Sequence, residues 1–516
     1  MNALTLRQRP SGLRPGVTIP LGHLVLMCVA ALAAATWGWA LIAAPESRQL
    51  VAFLIVLGVY GTGSALFIAS RMRDGRFRFF DIPTFVALLA FVEFGLAPMA
   101  CFLIEGQFDP GFHGTHASFV RTLAYFALGM TAFWAGCRIA VYKTPAMITP
   151  EASATNDSDL SAPIGPAVMW ALGLYAVAFT VKAYLLQNFG YDYGASQDLY
   201  LDHLAAMQVA NVVFQLGTYA LVILAIERSF HPLSLDRKVF FWIVFLTECC
   251  WGLVSGMKGN LLQNFVLVAV VSSMAERKLK KGWIVAALLG LVVIYPFSIQ
   301  YRELVRSRSD EAMGVGGAQT IAAAALEQAT ATDSTAADWL ESGVRSSVSR
   351  LNLLQSVAAV LALGPEADWL QGDERWWMLP FYPFIPRFLW AGKPVLDKGR
   401  RFSLALGLGD QTSTAITYPG DLYFEFGMPG LLVGMLLFGL IAERLTKRYG
   451  VPGSKRRLFI YTGVFMTFVT SIELDAFDFW STLIRSLVIL CAVAWIVYRP
   501  RRGLAVERVQ VPPCES

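Results

Sequence analysis

Arg302 and Arg306 stand four residues apart in the run from Ser298 to Arg308. On a helix that spacing puts both guanidiniums on one face. Two such groups suit a diphosphate, because each makes paired hydrogen bonds to phosphate oxygens. The plainer alternative is two cations snorkelling to a membrane surface. Asp421 and Glu425, also four apart and with Tyr423 between them, carry the complementary chemistry. They either cap the start of a helix, where acidic groups are favoured, or supply a general base toward a hydroxyl. His113, His116 and His203 compete for that base role. Lys258, in the hairpin Ser255-Gly-Met-Lys-Gly-Asn260, and Arg387 and Lys393, set in an aromatic and proline-rich run from Trp376 to Trp390 and just beyond, are further cations. Cations in such places stabilise negative charge developing on a leaving group. Arg345 and Arg350 are five apart, so their faces diverge and one of them is a candidate contact. Lys398, Arg400 and Arg401 read as a solvated turn. No phosphate-binding Gly-Lys-Ser/Thr loop, nucleotide fingerprint, nucleic-acid module or metal-ligand spacing occurs, so neither cofactor nor metal is expected.

The elements that must position these residues are apolar. The chain is 56% hydrophobic and 15% charged, with a mean hydropathy of +0.53; about 25% charged is usual for a soluble protein. Stretches of about 20 apolar residues recur along the whole length, which predicts an all-α polytopic membrane protein. Spans are expected near 20–43, 50–70, 82–104, 118–141, 164–187, 209–227, 239–256, 260–275, 282–299, 428–446, 458–473 and 480–498. Every second short loop is basic, from Arg71, Arg73, Arg76 and Arg78 to Lys455, Arg456 and Arg457. The positive-inside rule then gives about twelve transmembrane helices, both termini cytoplasmic, and one large loop outside, between helices 9 and 10. The organisation is helices 1–9 over 1–298, the loop over 299–427, and helices 10–12 with a tail over 428–516. Within the loop, 318–331 and 335–363 read as helix, and 351–363 is too short to span, so it is interfacial or re-entrant. Segment 144–163 reads as an inner linker. The aromatic run fits a membrane–water boundary. Glu93, Arg121, Lys182, Glu248 and Arg485 fall inside spans, where charge is costly. They either pair with one another and with Glu473, Asp475 and Asp478, or line an outward-open polar cavity.

Three runs resemble the O-antigen polymerase (Wzy) family, over roughly 240–445. Ser255-Gly-Met-Lys-Gly-Asn-Leu-Leu262 is similar to its Gly-Ser-Arg-Gly-type turn, with Lys258 where Arg is usual. Ile385-Pro-Arg-Phe-Leu-Trp-Ala-Gly-Lys-Pro394 resembles its Ile-Pro-Arg run, and Gly420 to Gly427 its Gly-x-x-Tyr-x-x-Phe-Gly entry into a helix. The resemblance implies a metal-independent glycosyltransferase of the bacterial inner membrane. It would polymerise undecaprenyl-diphosphate-linked oligosaccharide repeat units at the periplasmic face, in the lipid bilayer, with a chain-length regulator protein as a partner. Lys258, Arg302, Arg306 and Arg387 would hold the diphosphate, and Asp421 or Glu425 would serve the acceptor hydroxyl. An O-antigen-type ligase would use the same groups; a flippase would more often show balanced halves and short loops.

If Arg302 and Arg306 hold a diphosphate, alanine at either position should block chain growth with protein level unchanged. Loss of one charge-assisted contact, about 1.5–3 kcal/mol, is roughly ten- to a hundredfold in rate if felt in the transition state. Lysine should rescue only in part, since it keeps charge without the two-pronged geometry. Normal glycan ladders from both alanine variants would remove the diphosphate assignment.

Overall fold

The structure, a computed structural model, describes residues 47–108, 116–142, 164–189, 204–231, 234–255, 258–276, 278–307, 314–331, 336–364, 375–386, 389–390, 392–408, 413–450 and 454–499. Among these residues there is no strand, and the protein is all-helical. The expected span at 20–43 and the linker at 144–163 lie outside the described residues. So do the side chains of His113, His116 and His203.

In chain order the helices are α1 (Ser47–Arg73), α2 (Ile82–Glu105), α3 (His116–Tyr142), α4 (Ile164–Phe189) and α5 (Leu204–Phe230). Then come α6 (Leu235–Val254), α7 (Lys258–Glu276), α8 (Lys281–Ser307) and α9 (Gly314–Ala331). The polar interval adds α10 (Ala336–Leu351), α11 (Leu354–Leu363) and α12 (Lys398–Ala405), and the chain closes with α13 (Tyr418–Tyr449), α14 (Lys455–Thr470) and α15 (Ala476–Val497). Among the described residues, seven helices are long and apolar enough to cross a membrane: α1 to α5, α13 and α15. Helices α6, α7, α8 and α14 stand at the other expected span positions. Helices α10 and α11 meet at 45°, as a broken span or a re-entrant loop would.

Helix α13 begins ten residues before its expected start at 428, and the reason is local. Thr417 caps it, its hydroxyl accepting from Gly420 N at 3.2 Å, and Pro419 occupies the first turn, where its missing N–H costs nothing. The backbone then breaks at Gly427, with φ 63° and ψ −158°, a conformation open mainly to glycine, and Pro429 follows. The apolar run starts only after this break, so hydropathy marks the second part of the helix and misses the first.

Helix α13 packs along α3, and the two approach at glycine. A Cβ at Gly136 would overlap the Leu436 carbonyl oxygen, and one at Gly439 would overlap the Phe133 carbonyl oxygen. Small residues at such crossings let backbones close up where no hydrophobic drive exists in lipid. Around this pair gather α1, α2, α11 and α15, while α4 to α8 form a second group; α14 touches α2 and α13 on one side and α5 and α7 on the other. Phe438, Tyr418, Phe468 and Phe479 fill the joint of α13, α14 and α15, with ring centroids 4.7 to 5.3 Å apart.

The basic loops come together at one end of the bundle. There Arg71 pairs with Asp81 and with Glu443 at 2.6 Å, Lys455 with Glu227 at 2.9 Å, and Arg138 with Asp74 at 2.9 Å. At the opposite end the α10–α11 junction sits on α2: Leu353 N donates to Glu93 O at 3.3 Å and Asn352 Nδ2 to Phe108 O at 2.7 Å. Glu93 lies in a π-helical turn, Val92–Leu96, which turns its carbonyl out of the α ladder.

Alanine at Gly136 or Gly439 should lower the thermal unfolding midpoint, by the equivalent of about 1–3 kcal/mol for overpacking. Gly173 on α4 faces open space, so alanine there should be neutral. Equal midpoints for all three variants would refute the close crossing of α3 and α13.

Candidate functional site

The acidic pair on α13 lies at the end of the bundle away from Arg71. Asp421 and Glu425 share a helix face, and both reach Lys398 on α12. Lys398 Nζ is 3.0 Å from Asp421 Oδ1 and 2.5 Å from Glu425 Oε1. The other oxygen of Asp421 accepts from Ala476 N, the first amide of α15, at 2.9 Å. Asp421 is fully enclosed, whereas the Glu425 side chain keeps 18% exposure. The two carboxylates therefore have different capacities: Asp421 ties α12, α13 and α15 together, and Glu425 alone can meet a ligand.

Lys398 corrects the expectation of a solvated turn. It opens a helix and is buried, because two carboxylates one turn apart on α13 need a counter-charge and 23 residues of chain fold back to bring it. Burial alone would push its ammonium down; Asp421, then Glu425 and Asp475, outweigh this and raise it above the ordinary lysine value. Arg401 pairs with Asp397 on the same short element. Asp475 caps α15, its Oδ1 accepting from Asp478 N at 2.7 Å. Burial pushes the Asp475 carboxyl well above its ordinary range, and Asp421 and Asp478 push it further.

The other expected residues divide into three groups. Tyr423 lies across the helix from the acidic pair, stacked on Tyr125 of α3 at 5.5 Å, and Arg121 is within electrostatic reach of it. Lys393 is buried beneath the aromatic run; it donates to Ile385 O at 2.8 Å and stands 4.3 Å over the Tyr382 ring, so it braces that run. Arg345 is exposed and paired with Glu105 at 3.1 Å and Glu341 at 3.3 Å, and Arg350 is exposed at the end of α10. Arg302 and Arg306 lie four apart on α8 and Lys258 opens α7, but their side chains, and all of Arg387, lie outside the described residues.

The aromatic run covers the acidic site. Trp376 lies 5.5 Å from Phe426 and 5.8 Å from Phe477, and Tyr382 lies 5.3 Å from Phe477. Trp377, Phe381, Phe384 and Leu389 point outward and stay exposed, as side chains at a membrane–water boundary do. Arg121 was legible only as a charge inside a span. It is half-buried, and its Nε is enclosed with no hydrogen-bond partner among the described residues. Among the described residues no group of three or more His, Cys, Asp or Glu is placed to hold a metal ion.

An all-helical protein with membrane-length helices and a lysine-clamped carboxylate under an aromatic cover is the class this fold and site define. The chain belongs to a family described as a domain of unknown function, DUF8712, which matches residues 194–500. That range holds the whole acidic cluster and leaves out Arg121. Neither a curated protein nor a solved structure matches the chain.

Replacing Lys398 by methionine should destabilise the protein by about 3–5 kcal/mol, the usual cost of stranding a buried charge. Adding Asp421→Asn should recover part of the loss, because the stranded charge is removed. A single variant that unfolds at the wild-type temperature would show that the clamp does not hold α12, α13 and α15.

Proposed function

We propose that the protein is a membrane glycosyltransferase that polymerises lipid-diphosphate-linked oligosaccharide repeat units. The observation that carries the reading is Glu425: a partly exposed carboxylate, held by Lys398 at 2.5 Å, beneath an aromatic cover whose outer rings face the membrane boundary. In this reading the chain has twelve spans with both termini in the cytoplasm, and the acidic site faces the periplasm. The gathering of the basic loops at the opposite end supports that orientation.

An acceptor sugar hydroxyl approaches Glu425, which accepts its proton as the oxygen attacks the anomeric carbon of the donor. The bond from that carbon to the diphosphate oxygen breaks, and the lipid diphosphate leaves with both bonding electrons. Lys398 aims Glu425; Asp421 keeps Lys398 in place. Arg121, with an unpartnered Nε, and Arg302 and Arg306 at helical spacing on α8 supply positive charge for the leaving group. The resemblance to O-antigen polymerases runs through the same α13 segment, Gly420 to Gly427.

Glu425→Gln should lower polymer formation about 10²–10⁴-fold, the usual contribution of a general base, with unchanged protein level and unfolding temperature. The glycan ladder of a strain carrying only the variant measures this. A normal ladder would remove Glu425 as the base. In a strain lacking the protein, single repeat units indicate a lost polymerase, and full-length polymer kept on its lipid carrier indicates a lost ligase.

A further inference from the structure

We propose that a cavity inside the helix bundle, separate from the acidic site, binds an uncharged, hydroxyl-rich ligand of the saccharide class. It goes beyond the reaction above and rests on the cavity alone, not on Glu425. The cavity has a volume of about 440 Å³ and opens between α4, α5, α6, α7, α14 and α15. Small-molecule sites run from about 300 to 1,000 Å³.

Among the described residues its lining carries one ion pair and no unpaired charge. The charged ones among the described residues of the wall are Lys182 and Glu248. Lys182 Nζ is 2.8 Å from each oxygen of Glu248, and both side chains are 4% exposed. The pair neutralises itself, leaving no net charge to attract a diphosphate or an ammonium. The fold makes room for it: a Cβ at Gly217 would overlap the Glu248 carboxylate. Arg485 lies beside the cavity, within electrostatic reach of both Asp478 and Tyr219.

The neutral groups select for hydroxyls. Thr467 and Thr470 spend their protons on the carbonyls of Gly463 and Met466, at 3.2 and 3.1 Å. Thr482 spends its proton on Asp478 Oδ1 at 3.2 Å, and Tyr219 on Gln215 Oε1 at 3.0 Å. These oxygens therefore offer lone pairs to the cavity and take a ligand that donates. An anion, which only accepts, gains nothing from them. The amide of Gln263 makes no hydrogen bond to a described residue and, with the amide nitrogen of Gln215, can donate in return. A ligand must then both donate and accept without charge, which is what a sugar hydroxyl does. Trp251 gives one flat apolar wall, and Phe459, Leu490 and Leu267 close the deeper part.

The test uses the full chain in lipid nanodiscs free of glycoside detergent. Saturation-transfer NMR is run with a mixture of neutral di- and trisaccharides of glucose, galactose, mannose, rhamnose and N-acetylglucosamine, and separately with inorganic pyrophosphate and spermidine. At least one saccharide should receive saturation. Gln263→Leu combined with Thr467→Val should weaken it tenfold or more, and Ser486→Phe, which fills the cavity from α15, should do the same if the first variant unfolds. Saturation of no saccharide, equal binding by these variants, or displacement of the saccharide by pyrophosphate or spermidine would each overturn the proposal. Glu425→Gln should bind as the wild type does. Binding intact with no polymerase activity in the wild type would sink the reaction and leave the cavity assignment standing.

Discussion

Asp421 places a carboxylate in fully enclosed surroundings at the start of a long helix, and the geometry of that end of the molecule follows from how its charge is met. A buried carboxylate without a partner would cost several kcal/mol. Lys398 supplies the charge and the Ala476 amide supplies a hydrogen bond. Each partner belongs to a different element, so satisfying one side chain fixes the relative position of α12, α13 and α15. Thr417 shows how tightly the chain is led there. It adopts φ 70°, which is unfavourable for a β-branched residue, yet it both caps α13 and precedes Tyr418, whose amide donates to Ile472 O at 3.3 Å.

The two ends of the bundle use the same device to different effect. At the Arg71 end, one arginine is shared by Asp81 and Glu443, and Lys455 meets Glu227; all five side chains are buried. At the other end the shared cation is Lys398, but one of its carboxylates stays partly outside. Arg121 lies nearby, within electrostatic reach of Tyr423 on the same helix as Glu425. A closed network holds helices together. A network with one accessible carboxylate can also act on something that enters.

Much of the helical layout was legible, because membrane helices must satisfy their own backbone and announce themselves by length and hydropathy. Each described expected span coincides with a helix, and the bend at 352–353 falls where the apolar run was too short to cross. The start of α13 was hidden because Tyr418 to Phe426 are polar and aromatic rather than apolar. The site was half legible. The four-residue spacing of Asp421 and Glu425 predicted one face, and that face exists. Lys398 was misread, since its burial depends on a long-range fold-back that no local pattern records. Lys393 shows the same limit: a cation among aromatics has the sequence signature of a ligand contact, and here it holds the aromatic run to its own backbone.

Helix α15 joins the acidic site to the cavity. Its first amide is held by Asp421, Asp475 caps it, Asp478 accepts from Thr482, and Thr482 and Ser486 line the cavity wall. From Ala476 to Ser486 the helix rises about 15 Å, so one rigid rod carries contacts to both places. A ligand pressing on Thr482 acts on a hydroxyl whose acceptor, Asp478, sits two residues from the amide that fixes Asp421. Since Asp421 positions Lys398 and Lys398 positions Glu425, the accessible carboxylate is aimed through three consecutive polar contacts that begin on this helix. The first two contacts are buried and therefore stiff in the low-dielectric interior. The exposed end of that chain is thus set by the packing of α15, and the aim of Glu425 depends on a helix that does not carry it.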